Sequence, residues 1–356
     1  MRIWILPIEA HPHRYTCEWV GEVPKRLRRA AKRSGVLAQV RNIKGTLLRQ
    51  GTTPGAFLNF AATNIYKSTQ LAKVAELFNS GWVQPDDVFL VTDAWHPGAP
   101  QIRYMSELLE VPVRIIGLWH AGSYDPNDFL GRIARRQWAH RMEQALFDTY
   151  DLNVFATRYH VELFCNVFDL SPEDRRIAQC GWPMEYLPRL LEPYRGVPKR
   201  NLVLFPHRVP APEKQVKIFD DLATEFRGEW EFLVCQRTPL AKDAYHRLLA
   251  EARVVFSCSL QETLGIGCYE GVLAGAVPVV PDRLSYTEMY PEEFRYPSAW
   301  TASWEAYQQH KPLLVAHLRK VLASTLKGGV NLQPCRQQLT PFFSGEALYT
   351  KVFEKP

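Results

Sequence analysis

The chain has 356 residues, 46% of them hydrophobic and 22% charged, with a net charge of +6. That length suits two cores of about 150–200 residues each, and that composition excludes a disordered or fibrous protein. No apolar run approaches the roughly 18 residues of a membrane span or the length of a secretory leader, and the seven cysteines lack C-x-x-C spacing, so a cytoplasmic chain with reduced thiols and no zinc site is expected.

Residues 2–8 read as a buried strand, and the loop after it brings His11, His13 and Arg14 to the strand's C-terminal end, where open α/β sheets bind ligands. Local hydrogen bonding of the loop accounts for the same residues. A helix is expected from about Cys17 to Lys32, a strand over Val36–Ile43, a mobile loop over Gly45–Gly55 and a helix over Thr63–Asn79. A strand at Val88–Thr92, a helix near Ala99–Leu109 and a strand at Val113–Leu118 continue an alternation that means a parallel sheet covered on both faces. Two strand ends are crowded with polar and aromatic groups, one carrying Asp93, Trp95 and His96 and the other His120 and Tyr124, and both open toward one crevice. An Asx cap on the next helix explains Asp93 equally well.

Nine basic residues and no acidic one fall between Lys25 and Arg49, and Arg132, Arg135, Arg136 and Arg141 lie in a helical stretch expected over Phe129–Tyr150. Such patches suit a polyanion, and a solvated helix face gives the same pattern. A strand at Asn153–Ala156, a helix at Tyr159–Phe168 and a strand at Ile177–Cys180 follow, and residues 192–200 have a linker's proline and glycine content. The expected organisation is a first domain over 1–191, the linker 192–200, a second domain over 201–339 and a C-terminal segment 340–356.

The second domain opens with a strand at Asn201–Phe205, and the next loop carries Arg208 and, six residues on, Lys214, so that both can converge on one anion. After a strand at Trp230–Cys235 and a helix at Leu240–Ala252 comes a β-loop-α-β unit: strand Val254–Cys258, a turn with Gly265 and Gly267, a small-residue helix and strand Val277–Val280. Glu262 and Glu270 bracket that turn with seven residues between them. The helix start favours an anion such as a diphosphate, and carboxylates beside it are tolerated only if they bond hydroxyls, which implies a ligand with both phosphate and sugar. Two unrelated glutamates in an ordinary α/β unit have the same spacing.

Glu262-x7-Glu270, with Thr263-Leu264-Gly265-Ile266-Gly267 between and Ala274–Val280 after, resembles the donor-site motif of family-four retaining glycosyltransferases. The resemblance implies the GT-B fold, an α/β pair of Rossmann-like parallel-sheet domains facing a central cleft, and a UDP- or GDP-sugar donor. It places Glu262 on the transferred sugar, Glu270 on the nucleotide ribose, the backbone of Thr263, Leu264, Gly265 and Ile266 around the diphosphate, and Arg208 and Lys214 on the same diphosphate. His120 matches the family's strand-end histidine against the donor sugar, so His120, Glu262, Arg208 and Lys214 form the expected catalytic set. The chain departs from the family in lacking a glycine-rich loop after its first strand, and in having room for one helix between Cys235 and Arg253, which leaves the second sheet one strand short. With no Asp-x-Asp sequence, no metal is expected at the diphosphate.

For the acceptor, stretches around Arg14, Trp95 and His120 are similar to bacteriophage-encoded glycosyltransferases, and Pro206–Arg208 with Tyr286–Phe294 to tRNA-queuosine mannosyltransferases. Both resemblances imply a nucleic acid, and the reading they favour is transfer to a 5-hydroxymethylpyrimidine of phage DNA in the host cytoplasm. The acceptor set is then His11, His13, Arg14, Asp93, Trp95, His96 and Tyr124, with Trp95, Trp119 and Tyr124 available to stack on an extruded base. A tRNA base, a small molecule or a glycan are the rival acceptors. Of another class is a non-catalytic two-domain protein that binds a nucleotide or nucleic acid.

Overall fold

The computed structural model describes residues 1–354 apart from 13, 49, 50, 52, 54–57, 134, 210, 239 and 328. The chain divides into two compact units, Met1–Met184 with Ser344–Pro356, and Glu185–Phe343.

The first unit runs β1 (Arg2–Leu6), α1 (Thr16–Arg33), β2 (Gln39–Asn42), α2 (Phe60–Asn79), β3 (Val88–Val91), α3 (Ala99–Leu108), β4 (Arg114–Leu118), α4 (Gln137–Thr149), β5 (Leu152–Phe155), α5 (Arg158–Phe168) and β6 (Ile177–Gln179). Its strands lie in the order β2-β1-β3-β4-β5-β6 with every pairing parallel. The runs Val-Phe-Leu-Val of β3 and Leu-Asn-Val-Phe of β5 are buried throughout, as strands covered on both faces must be. Asn59 and Thr157 cap α2 and α5 by accepting the N–H groups of Ala62 and His160, which fixes where those helices start.

The second unit runs α6 (Leu187–Leu191), β7 (Arg200–Phe205), α7 (Val216–Glu225), β8 (Glu231–Val234), α8 (Lys242–Glu251), β9 (Ala252–Phe256), α9 (Ile266–Leu273), β10 (Val277–Pro281), α10 (Tyr286–Met289), β11 (Arg295–Tyr296), α11 (Trp304–Leu326) and α12 (Gln333–Leu339). The final helix, α13 (Glu346–Phe353), belongs to the first unit, where it packs on α1. The second sheet has the order β11-β10-β9-β7-β8.

In both sheets the strand order reverses at one place, between β1 and β3 in the first and between β7 and β9 in the second. These are the switch points where loops diverge to opposite faces and leave a crevice outside the strands' carboxyl ends.

Three expectations change. The four strands expected of the second sheet are joined by a fifth, β11, whose two residues pair with Val280 and Pro281 and are too few to carry a periodic signal. The helix expected from Phe129 begins only at Gln137, because Asp125 and Asp128 accept the N–H groups of Asn127 and Leu130 and fold the stretch before it into Asx turns. Residues 192–200 belong to the second unit and begin with a short 3-10 turn, and the division of the chain falls at Met184–Glu185. The expected loop over 45–55 has no regular structure where it is described, and its residues 49, 50, 52, 54 and 55 lie outside the described residues.

Six of the seven cysteines are buried as free thiols. Among the described residues no helix is long and apolar enough to cross a membrane.

Candidate active site

In the second unit the loop after β7 carries His207 and Arg208, and a short 3-10 turn, Pro212–Lys214, delivers Lys214 just ahead of α7. The loop after β9 carries Glu262 and ends at Gly265, the residue before α9. Lys214 Nζ lies 3.0 Å from Glu262 Oε2 and also donates to the Gln261 carbonyl. His207 Nδ1 stands 3.8 Å from the same carboxylate oxygen, and its Nε2 is 2.9 Å from Ser257 Oγ, which in turn lies 3.0 Å from Tyr286 OH. The β7 and β9 loops are thus tied together across the switch point.

Burial pushes the Glu262 carboxyl up, but Lys214, His207 and the Gly265 N–H outweigh it and hold it below the usual range. Burial and Lys214 push His207 down to about 3, so its ring is neutral at pH 7. Arg208 Nη2 donates to the buried Glu213 at 2.9 Å. Both expected phosphate-binding cations are therefore paired with the chain's own carboxylates in this structure.

Gly265 has φ +64°, and a Cβ there would stand 2.7 Å from the buried Tyr286 ring. A Cβ on Gly267 would stand 2.8 Å from Pro206. The two glycines let the first turn of α9 press against the β7 loop, with backbone N–H groups that have no intrahelical acceptor. Thr263, Leu264 and Ile266 belong to this same turn, and Leu264 is buried under it. Glu270 sits apart from Lys214: its Oε2 accepts from Tyr245 OH of α8 at 2.8 Å, and burial raises its carboxyl to about 7.

In the first unit His120 lies past the end of β4. Its Nε2 is 2.7 Å from the Thr92 carbonyl and must donate to it, which leaves Nδ1 to accept from Tyr15 OH at 3.1 Å. Trp182 packs 4.4 Å from the ring, and burial lowers its basicity. Asp93 is held by Lys67, whose Nζ lies 2.6 Å from Oδ2 and also donates to the Trp95 carbonyl; despite burial the pair brings Asp93 down to about 2. His96 is buried, with Nε2 3.2 Å from Gln70 Oε1 and Nδ1 accepting the Gly98 N–H, and burial lowers it to about 3. Asp93 and His96 thus knit the loop ahead of α3.

The stacking set is corrected by burial. Trp119 is fully buried, its Nε1 donating to Asn153, and Tyr124 is buried with its hydroxyl 2.5 Å from His160 Nε2. Packed among Phe155, Phe164 and Tyr150, neither has a face left for a base. Trp95 is only partly buried, donates to the buried Glu143 and meets the exposed Trp138 edge to face at 6.0 Å. His11 and Arg14 lie in the loop between β1 and α1, and His13 lies outside the described residues.

Of the basic stretch, Lys25 and Arg26 pair with Glu22, Arg33 pairs with Glu346, and Arg28 donates to the Val40 carbonyl. Arg49 lies outside the described residues. Arg132, Arg135, Arg136 and Arg141 are exposed around Trp138.

Glu9, which the sequence does not single out, follows β1 and is 2% exposed, yet neither carboxylate oxygen has a hydrogen-bond partner among the described residues. Burial raises the Tyr66 phenol to about 12, and Glu9 acts on it in the same direction.

No known family model matches the sequence. Solved structures do resemble it in full. A UDP-forming trehalose-phosphate synthase from Burkholderia vietnamiensis superposes with a TM-score of 0.57 and 13% identity over 99% of this chain and 98% of that one. A sucrose-phosphate synthase from Thermosynechococcus elongatus gives 0.58 and 13% over 98% and 96%. The lipopolysaccharide outer core galactosyltransferase WaaB gives 0.58 and 12% over 99% and 98%. The fold is GT-B. At these identities the likeness carries the architecture alone, and within the GT-B frame the β7/β9 switch point holds the residues that the motif singles out.

Proposed function

We propose that this chain is a retaining, nucleotide-sugar-dependent glycosyltransferase that uses cationic side chains and a helix start, with no metal, to stabilise its leaving group. The observation that carries the reading is the pairing of buried Lys214 with partly buried Glu262 at 3.0 Å beside the glycine-opened N-terminus of α9. A UDP-sugar is the favoured donor, since the similar trehalose-phosphate synthase is described as UDP-forming.

In this reading the diphosphate takes up the backbone N–H groups at the start of α9 and draws Lys214 and Arg208 from their carboxylates. Freed of Lys214, Glu262 turns to hydroxyls of the transferred sugar, while Glu270 bonds the ribose. The bond between the sugar's anomeric carbon and the diphosphate oxygen breaks, and negative charge grows where these cations already stand. The acceptor oxygen bonds that carbon from the same face, and its proton passes to the departing phosphate oxygen, so no dedicated base is needed. His120 contacts the donor sugar through Nδ1 once Tyr15 gives way.

For the acceptor, the exposed arginines flanking Trp138 support a polyanion, and transfer to a 5-hydroxymethylpyrimidine in DNA would use the exposed face of Trp138, which Trp95 meets edge to face. The burial of Trp119 and Tyr124 weighs against it, since two of three expected stacking faces are gone.

A thermal-shift panel of UDP-, GDP-, ADP- and dTDP-sugars tests the donor half, because a ligand at 100 times its Kd adds about 2.7 kcal/mol. One nucleotide should stabilise the protein, and Arg208→Ala and Lys214→Ala should each weaken its binding by about 1.5–3 kcal/mol. Silence across the panel, or unchanged affinity in both variants, sinks the reading. Labelled sugar offered with hydroxymethylcytosine DNA, hydroxymethyluracil DNA and unmodified DNA at two salt concentrations decides the DNA acceptor.

A further inference from the structure

The β1/β3 switch point of the first unit holds a side chain with no hydrogen-bond partner among the described residues. The main chain around Glu9 is fully engaged: Ile8 N–H donates to Thr92 Oγ1 at 3.0 Å, and the Glu9 carbonyl accepts from His11 N–H at 3.1 Å and Thr16 Oγ1 at 3.3 Å. Those contacts tie the β1 loop to Thr92, whose carbonyl holds His120. The side chain is treated differently. At 2% exposure both its oxygens lack a donor among the described residues, although a buried unpaired carboxylate is among the costlier groups a fold can keep.

We propose that Glu9 binds a vicinal diol of the acceptor, each carboxylate oxygen accepting one hydroxyl; the proposal rests on the glycosyltransferase reading. Two unmet oxygens on one planar group ask for two donors on adjacent atoms. A phosphate ester offers at most one donor at pH 7, and its charge opposes a carboxylate. A pair of hydroxyls on neighbouring carbons fits, and it is the chemistry of a sugar or cyclitol rather than of a single hydroxymethyl on a pyrimidine. Glu9 is then a specificity residue for a neutral polyol end, on the edge that also carries His120.

The test uses the nucleotide sugar that the donor panel selects, with methyl α-D-glucopyranoside, myo-inositol and hydroxymethylcytosine DNA as acceptor probes. At least one diol should accelerate donor consumption by the unsubstituted protein, and Glu9→Gln should raise the KM for that diol about tenfold. UDP affinity should stay within about twofold, because the nucleotide is assigned to the second unit, and the thermal midpoint should hold or rise in Glu9→Gln and Glu9→Leu. A lower midpoint in both variants would make Glu9 a structural residue and overturn the proposal. So would transfer to the DNA alone with unchanged KM, no response to either diol, or weaker nucleotide-sugar binding beside normal UDP binding, which would assign the diol to the donor. A donor panel that is silent altogether takes the glycosyltransferase reading down first.

Discussion

The two switch points are built from the same local plan and finished in opposite ways. At β7/β9 both expected phosphate-binding cations have a mate within the chain: Lys214 has Glu262, and Arg208 has Glu213. At β1/β3 Asp93 has Lys67, while Glu9 is buried with no hydrogen-bond donor to its carboxylate among the described residues. The difference teaches that the second edge is shaped before its ligand arrives, at the cost of pairs that a diphosphate must exchange. The first edge keeps a buried carboxylate whose oxygens a ligand's hydroxyls can satisfy.

Acid should separate the units most strongly. Burial sets His96 and His160 of the first unit at about 3, against 6.5 when unfolded, and lowers His120 as well. Between those values the unfolded chain binds protons that the folded unit refuses, so stability falls as the pH drops below about 6.5. From pH 7 to pH 5 the two histidines alone cost on the order of 4 kcal/mol, with Glu143, raised by burial, offsetting a part. In the second unit His207 and His317 pull the same way, but Glu270, raised to about 7, pulls the other: its folded form is protonated where the unfolded one is not, so it adds stability as the pH falls through 7. Hydrogen exchange at the two pH values should show the first unit opening much more readily at pH 5. Equal losses in both units would break the comparison.

Next in size is Lys214→Met, which leaves the partly buried Glu262 without its ion-pair partner and should destabilise the second unit by about 2 kcal/mol, measured by denaturant unfolding. Glu9→Leu should shift the first unit in the stabilising direction. If the two substitutions act with the same sign, the contrast between a completed and an incomplete edge is wrong.

Smallest is Gly265→Ala. The φ of +64° disfavours a side chain by about 1–2 kcal/mol, and the Tyr286 ring, pinned by Ser257, blocks the new methyl. UDP affinity by calorimetry should fall together with stability, and wild-type affinity in this variant would mean that the α9 turn is not the diphosphate seat.

What the sequence made legible was whatever is local. The central strands of both sheets follow from runs of Val, Ile and Leu, and the turn before α9 from Gly265 and Gly267, because periodicity and turn glycines are written in adjacent residues. Pairing across distance was not legible. That Lys67 of α2 holds Asp93, or that Tyr245 of α8 reaches Glu270, depends on which helix packs beside which strand end. Trp119 and Tyr124 misled for a related reason: an aromatic residue at a strand end reads alike whether it points at a ligand or into Phe155 and Phe164. Glu9 was hidden because nothing in a sequence marks the absence of a partner.

The return of α13 to the first unit sets an order of assembly. Arg33 pairs with Glu346, and Arg114 donates to the carbonyls of Lys351 and Glu354 at 2.8 and 2.7 Å, so the β1–β6 body has part of its surface supplied by the end of the chain. During synthesis the unit begun first cannot be finished until Glu185–Phe343 has been made. At roughly 5–20 residues per second that is a delay of about 10–30 s, during which Arg33 of α1 and Arg114 of β4 lack the partners that α13 and Glu354 supply.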